Sequence, residues 1–276
     1  MPAKHLKTSL IISTYNWPNA LEVCLKSVLN QERLPDEVIV ADDGSKTETL
    51  QLIEKYKKDF PVPLKHVWHE DNGFRLSTIR NKAILVAEFE YIIQIDGDLI
   101  LHPSFIKDHL RLATPQRFVS GSRLLLPPAY SEKILGQRTI PPYLDLLMNG
   151  SSRLNAIRVP TLTKLLAPHY KKRNKFYVKG CNMAFWRKDL LEVNGYNENI
   201  TGWGKEDSEL AVRLINNGVK RLFIKFGGIC YHLYHREASK ARHDLNENIL
   251  QSTIDSGITR CDKGIDQYEV ESITVL

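Results

Sequence analysis

YIIQIDGDLILH, residues 91–102, sets two carboxylates into a run otherwise suited to the interior of a sheet. Tyr91, Ile92, Ile93 and Ile95 lead to Asp96, Gly97 alone separates it from Asp98, and Leu99, Ile100 and Leu101 follow. Carboxylates are costly to desolvate, so the acids need either a turn or a ligand at that point. Three similar apolar runs precede this one: TSLIIST (8–14), DEVIVADDGS (36–45) and LKHVWHE (64–70). Between them lie helical patterns. Residues 19–31 place Leu21, Leu25, Val28 and Leu29 on one face, residues 47–59 open with Thr47 as an N-cap, and residues 76–88 follow. Strand and helix alternating in this way predict an α/β fold with a parallel sheet and helices on both faces.

Ligands of such sheets bind beyond the carboxyl ends of the strands. Four strand ends here deliver polar groups to one rim: Ser13, Thr14, Tyr15 and Asn16; Asp42 and Asp43; Asp71, Asn72 and Arg75; Asp96 and Asp98. The second half reads differently. A helix is expected over 103–113, a strand over 117–126, a helix over 207–218 ending at Gly218, and a strand over 221–235. Residues 127–175 carry many prolines and a basic run of Lys171, Lys172, Arg173 and Lys175. The tail after 240 is polar and shows no clear pattern.

Of the 276 residues, 42% are hydrophobic and 25% charged, which supports a sizeable core and argues against disorder. The net charge of +6 points to nucleic acid, an anionic membrane surface or phosphate-bearing small molecules. Cys24, Cys181, Cys230 and Cys261 show no CxxC spacing, so they read as reduced thiols. No signal peptide and no run of about 20 apolar residues is found. The expected location is cytoplasmic, with peripheral contact at the inner face of a membrane.

Four motifs carry chemistry. Asp96-Gly97-Asp98 offers hard oxygen ligands suited to Mg²⁺ or Mn²⁺, although Asp-Gly also makes an ordinary turn. YHLYH places His232 and His235 at a strand end. On a straight strand residues three apart face opposite sides, so both ligate one ion only if the chain turns there, and a mixed carboxylate–imidazole site favours Mn²⁺. GWGKED (202–207) bends around Trp203, a stacking platform for a sugar, and puts Glu206 and Asp207 in the first turn of a helix, either as helix-end charges or with one as a general base. DDGS (42–45) offers one aspartate to a uracil ring, with Tyr15 packed beside it. GxGxxG and GxxxxGK[ST] are absent from the sequence, against a dinucleotide fold or a P-loop.

STYN, DDGS, IDGD and GWGKED in this order, followed by a late histidine, resemble the inverting glycosyltransferases of family 2 with the GT-A fold. The resemblance covers roughly residues 7–240. GFRLSTIRNKAI (73–84) looks like a bacterial branch of that family, and KGCNMAFW through AVRL (179–214) is similar to the galactosyltransferase-like region shared by bacterial chondroitin polymerases and animal β-1,4-galactosyltransferases. The resemblance implies a Rossmann-like, mostly parallel central sheet flanked by helices, with a helical and loop-built acceptor region. It implies that Ser13, Tyr15 and Asp43 contact uridine, that Arg80 lies near the nucleotide, and that Asp96, with Gly97 beside it, contacts the ribose or donor sugar. Asp98 would ligate the metal together with His235, His232 or both. Asp207 would be the catalytic base and Glu206 the preceding sugar-binding acid, with Trp203 against the sugar and Lys205 where the family has a glycine.

The implied activity is metal-dependent transfer of a hexose or N-acetylhexosamine from a UDP-sugar, with Mn²⁺ or Mg²⁺, to a glycan or lipid-linked oligosaccharide, as in bacterial surface polysaccharide synthesis. Residues 1–126 are expected to bind the nucleotide sugar, 127–175 to form an acceptor region or lid, and 176–240 to complete the acceptor and catalytic half, with 241–276 as a tail. Nucleic acid is not an expected partner, because Asp42, Asp43, Asp96 and Asp98 on one rim would repel its phosphates. The alternatives are a sugar nucleotidyltransferase, disfavoured because STYNWPNAL replaces a glycine-rich basic loop after the first strand, and a non-catalytic nucleotide- or glycan-binding protein.

Overall fold

The computed structural model describes residues 6–151, 153–174, 176–236 and 239–276, so Lys175 of the basic run lies outside the described residues. Strands β1 (Thr8–Thr14), β2 (Glu37–Asp42), β3 (Leu64–Trp68) and β4 (Tyr91–Asp96) alternate with helices α1 (Pro18–Leu29), α2 (Thr47–Lys57) and α3 (Leu76–Val86). There follow β5 (Leu99–Leu101), α4 (Phe105–Leu112), β6 (Arg117–Ser120), β7 (Leu124–Leu125), α5 (Pro128–Gln137), α6 (Tyr143–Asn149) and α7 (Pro160–Leu166). The last elements are β8 (Asn182–Trp186), α8 (Arg187–Glu192), α9 (Glu206–Asn216), β9 (Lys220–Phe223), β10 (Cys230–His232) and α10 (His243–Ser256).

The fold is α/β, with a seven-stranded sheet in the order β3-β2-β1-β4-β8-β6-β9. Only β8 runs against its neighbours, pairing antiparallel with β4 and β6. Every residue of β1 is buried. Its side chains divide by alternation, with Leu10 and Ile12 facing the core under α1 and α2 and Ile11 facing the core under α3 and α9. A strand covered on both faces reads as a continuous apolar run, which is why the first four strands were legible.

Three long runs expected as single strands are each broken in two. β4 ends at Asp96 and β5 begins at Leu99, β6 and β7 divide residues 117–126, and β9 and β10 divide residues 221–235. In each case the first piece stays in the large sheet and the second enters a small sheet, ordered β5-β10-β7. The breaks fall at glycines where the backbone is crowded. The Gly97 N–H donates to the Ser13 carbonyl at 2.7 Å. A Cβ on Gly121 would lie 2.3 Å from Asn182 Nδ2, and Gly228 takes φ +54°. The sequence reading missed β8, α8 and α10 entirely. The polar tail proves to be structured: α10 packs beside α9, Ile265 and Ile273 enter the core, and Val275 bridges Val67.

Among the described residues no helix is long and apolar enough to cross a membrane. All four cysteines are buried and unbonded to each other.

An ion pair at the base of α9 fixes the helix that carries Glu206 and Asp207. Arg213 and Glu209, both 0% exposed, meet at 2.7 and 2.8 Å, and Arg213 also donates to the carbonyls of Gly195, at 2.7 Å, and Val193. Removing one partner of such a pair strands the other charge in a dry interior. Arg213→Met is therefore expected to lower stability by about 3–5 kcal/mol, measured by urea unfolding, and an unchanged midpoint would show that Glu209 does not depend on Arg213.

Candidate active site

β1 and β4 are neighbours in register, so Ser13 stands opposite Asp96 at the carboxyl rim. β10 pairs with β5 so that His232 stands opposite Leu99, and the Leu233 N–H donates to the Asp98 carbonyl at 3.0 Å. The chain leaves the strand after His232, which meets the requirement that a strand ending in His-x-x-His must turn for both rings to face one point. His232 Nε2 lies 3.4 Å and His235 Nε2 3.3 Å from Asp98 Oδ2. These three ligand atoms lie within 4.8 Å of one another. Asp98 Oδ1 is buried without a hydrogen-bond partner. His235 Nδ1 donates to the Arg236 carbonyl at 2.8 Å, which leaves Nε2 as the nitrogen facing Asp98. A carboxylate and two imidazoles, with an orphaned carboxylate oxygen, fit a divalent cation of the Mn²⁺ type. The hydrogen bond to Asp98 pushes His235 up to about 9, whereas burial lowers His232 against the pull of Asp98.

Arg80 on α3 lies beneath this rim and is 1% exposed. Its Nη2 donates to Asp96 Oδ1 at 3.0 Å, its Nη1 to Asp207 Oδ1 at 2.9 Å and its Nε to Ser13 Oγ at 3.2 Å, with Glu206 Oε1 at 3.8 Å. The expected neighbour of a nucleotide is thus engaged with four side chains of its own protein. The Tyr196 hydroxyl lies 3.2 Å from Asp207 Oδ1 and 2.9 Å from Gln94 Oε1, and Gln94 Nε2 donates to the Gly180 carbonyl at 3.0 Å. Gly180 is held against the carboxylate so closely that a Cβ there would lie 1.8 Å from Asp207 Oδ2.

Glu206 is buried beside Asp207, and its Oε2 has no partner. Burial first, and then Asp207, push it up to about 8 against the opposing charge of Arg80. Burial also raises Asp96 against Arg80, although its side chain keeps 32% of its surface exposed and solvent moderates the effect. The loop before α9 takes positive φ at Gly202, Gly204 and Lys205. Lys205 therefore adopts a left-handed backbone that glycine takes more easily. Asn246 of α10 holds this loop by donating to the carbonyls of Thr201 and Gly204 at 3.1 and 3.0 Å. Trp203 on the loop is 37% exposed, with the Lys240 ammonium 5.6 Å from its ring.

At the other end of the rim the two adjacent aspartates separate. Asp42 is fully buried, bonded to His66 Nε2 at 2.9 Å and accepting from the Ser45 N–H at 2.8 Å. Asp43 meets His69 Nε2 at 2.7 Å and accepts from the Arg75 N–H at 2.9 Å. Tyr15, 50% exposed, donates to Asp71 Oδ2 at 2.9 Å.

The sequence reading missed Tyr196, Gln94, Gly180 and Arg123. Arg123 follows Gly121 in the break between β6 and β7, and its Nη1 lies 3.3 Å from Cys181 Sγ. Burial opposes its charge, and Cys181, Asp96 and Asp98 more than offset that. Gln94 lies in the opening stretch, and Gly180 and Tyr196 in the galactosyltransferase-like segment, but no spacing there marks them as neighbours of Asp207. Their places depend on which elements meet.

The family described as "Glycosyl transferase family 2" matches residues 9–193, and "N-terminal domain of galactosyltransferase" matches residues 162–236. Chondroitin synthase of Escherichia coli is 25% identical over 242 residues, 81% of this chain and 34% of that protein. The chain thus spans about a third of that relative's length. The solved structure of Staphylococcus aureus TarS 1–349 in complex with UDP-GlcNAc superposes with a TM-score of 0.65 at 19% identity, over 95% of this chain and 69% of that one. Mannosyltransferase PcManGT from Pyrobaculum calidifontis, in complex with GDP-Man and Mn²⁺, gives 0.60 at 19% identity, over 86% and 59%. These two likenesses establish the GT-A fold.

A carboxyl whose pKa is raised by folding favours the native state in its protonated form. Glu206 rises from 4.5 to about 8, so its contribution is complete below about pH 4.5 and is lost as pH climbs toward 8. The melting midpoint of the wild type is expected to fall across that window more steeply than that of Glu206→Gln. Asp96 shares the direction and leaves a residual slope in both. Parallel profiles would place the proton elsewhere.

Proposed function

The chain belongs to glycosyl transferase family 2, and on that premise we propose that it inverts the anomeric carbon of a UDP-linked hexose or N-acetylhexosamine while transferring it to a hydroxyl of a glycan or lipid-linked acceptor. One observation carries this reading: a base-like carboxylate, Asp207, and a cation-fitting triad, Asp98, His232 and His235, share one rim and are connected through Arg80 and Asp96.

Asp98, His232 and His235 would hold Mn²⁺ or Mg²⁺, which when bound supplies positive charge to the leaving diphosphate. Asp43 and Tyr15 take the uracil ring, with Ser13 beside them, and Asp96 takes the ribose or donor sugar. The UDP-GlcNAc in TarS and the Mn²⁺ in the mannosyltransferase support donor and metal by analogy. Arg80 and Tyr196 fix one oxygen of Asp207, which leaves Oδ2 to act. That oxygen takes the acceptor's hydroxyl proton as the acceptor oxygen bonds to the anomeric carbon and the bond from that carbon to the diphosphate breaks. UDP leaves with the electron pair, and one displacement inverts the centre. Glu206 with its proton donates a hydrogen bond to a sugar oxygen, and Trp203 supplies an apolar face for the ring.

Residues 127–175 act in this reading as acceptor region or lid, completing the site and excluding water. Peripheral membrane contact belongs to the same proposal and is supported by exposed Leu144 and Met148 on α6 and Leu162 and Leu165 on α7. A cytoplasmic place in polysaccharide assembly belongs to it too, supported by four unpaired thiols.

Asp207→Asn is expected to keep UDP affinity and to lose transfer by about 10²–10⁴-fold, read as product formed from a panel of UDP-sugars and acceptors; full activity in the variant would reject the base. Mn²⁺ titration followed by electron paramagnetic resonance is expected to show one bound ion in the wild type and loss of that binding in Asp98→Asn. Equal binding by the two proteins would remove the triad from the metal site.

A further inference from the structure

Next to Asp207, the chain approaching Gly180 carries a feature that the donor chemistry leaves unused. Tyr177 and Lys179 are half-buried two positions apart, and Val178 between them points into the core. The Lys179 ammonium lies 5.4 Å from the Tyr177 ring centre and the Lys171 ammonium 3.7 Å from it. Lys171 also lies 5.4 Å from the Phe223 ring, beside which the Arg221 guanidinium sits at 5.8 Å. Lys225 lies 5.3 Å from the Phe226 ring.

This shelf is built rather than merely solvated. Arg221 donates to the carbonyl of Lys171 at 2.8 Å and to that of Tyr177, tying both backbones to β9. Lys171 is held at φ +53°, a left-handed conformation that lysine rarely takes. Among the described residues no carboxylate lies within 4.0 Å of Lys171, Lys179, Arg221 or Lys225. Arg80, by contrast, has Asp96 and Asp207 at 3.0 and 2.9 Å. Here four cations share aromatic rings and no counter-charge. Burial, followed by repulsion from Lys171, lowers the Lys225 ammonium. Like charges gathered at a half-buried surface without acids are stabilised by an anion arriving from outside.

We propose that this shelf binds an anionic group, a carboxylate or a phosphate, carried by the acceptor next to the sugar that presents its hydroxyl to Asp207. Gly180 fixes the distance, since its own backbone touches the Asp207 carboxylate and Lys179 is its neighbour in the chain. An acceptor with its reactive hydroxyl at Asp207 therefore places its next one or two units over Tyr177 and between the lysines. The aromatic ring takes an apolar sugar face, and the ammonium groups take the charge. The proposal rests on the transferase reading of Asp207, but the shelf is tested without it.

Three oligosaccharides of equal length provide the probes. One carries glucuronate as the unit next to its terminal sugar, one is its carboxyl-reduced counterpart with glucose at that place, and one carries a phosphodiester in place of the carboxylate. Each is titrated into the full chain and into Lys171→Gln/Lys179→Gln, with Kd read by calorimetry or by chemical-shift changes. The wild type is expected to bind at least one anionic probe roughly five- to tenfold more tightly than the neutral one, and to lose that preference at high ionic strength. The stronger of the two anionic probes identifies the source of the charge. The double variant is expected to bind all three alike while its melting midpoint and UDP affinity stay at wild-type values, and Lys171→Arg/Lys179→Arg should restore the preference. Equal binding of charged and neutral probes by the wild type, no binding of either anionic probe, or a preference that survives in the double glutamine variant each overturns the proposal. A wild type that prefers the anionic probe but binds no UDP keeps the shelf and overturns the donor reading instead.

Discussion

The guanidinium of Arg80 joins Asp96, 16 positions away, to Asp207, 127 positions away, in a place almost without solvent. Taking a guanidinium out of water costs several kcal/mol, and only close acceptors recover it. Ser13, Asp96 and Asp207 are those acceptors, with Glu206 just beyond. The dependence is mutual, because the same acids would repel one another around an empty centre. Even so the charges do not balance. Asp96, Asp98, Glu206 and Asp207 face two guanidiniums, Arg80 and Arg123, so the acids exceed the guanidiniums by two. The acids lean toward their protonated forms, with burial raising Glu206 and Asp96, and the hydrogen bond to Asp98 raises His235. A divalent cation would answer the excess of acids with one ion, and the donor set at Asp98 is shaped for that.

The fold delivers these groups by exchanging strands between two sheets. Each of β4, β6 and β9 crosses from the large sheet to the small one within a few residues of its end. The crossing points lie along one rim, and Asp98, Arg123 and the histidines stand at or just after them. Polar side chains fall there because a strand changing sheets leaves backbone and space that apolar packing does not fill. The helix bearing Glu206 and Asp207 comes from elsewhere and must be held independently. Arg213 and Glu209 anchor its interior, and Asn246 of α10 holds the loop before it. The polar tail thereby shapes the site without lining it.

The first half of the fold and most of the rim were legible because parallel strands buried on both faces leave unmistakable apolar runs, and their ends then name the polar positions of the rim. Reading 91–101 and 221–235 as single strands failed for one reason. Period-two patterns record burial, and both pieces are buried, but they do not record which sheet does the burying. Asn182–Trp186 went unread because five residues of mixed character carry no alternation of their own and become a strand only between β4 and β6. α10 went unread because few of its side chains are buried. The resemblance favours Asp43 over Asp42 as the residue that contacts uridine. In the structure His66 bonds Asp42 in the interior, while His69 and the Arg75 N–H hold Asp43. Tyr196 and Gly180 matter only through Asp207, and no local pattern announces a contact of that kind.

The contacts also link the groups of the site: the histidines and Asp98, then Asp96, Arg80, Asp207, Gly180 and the lysine shelf, with Arg123 beside Cys181 tying Gly180's neighbour back toward Asp96 and Asp98. A single displacement at an anomeric carbon needs the leaving group and the entering hydroxyl on opposite faces, with positive charge behind the first and a base behind the second. The linked groups supply a cation-fitting triad and a carboxylate, with Arg80 between them as a rigid spacer. If the acceptor also carries an anion, its charge must be kept away from the diphosphate that leaves. On the proposal above, the shelf beside Gly180 would hold that charge on cations of its own, Lys171 and Lys179, and leave the cation at the triad to the diphosphate.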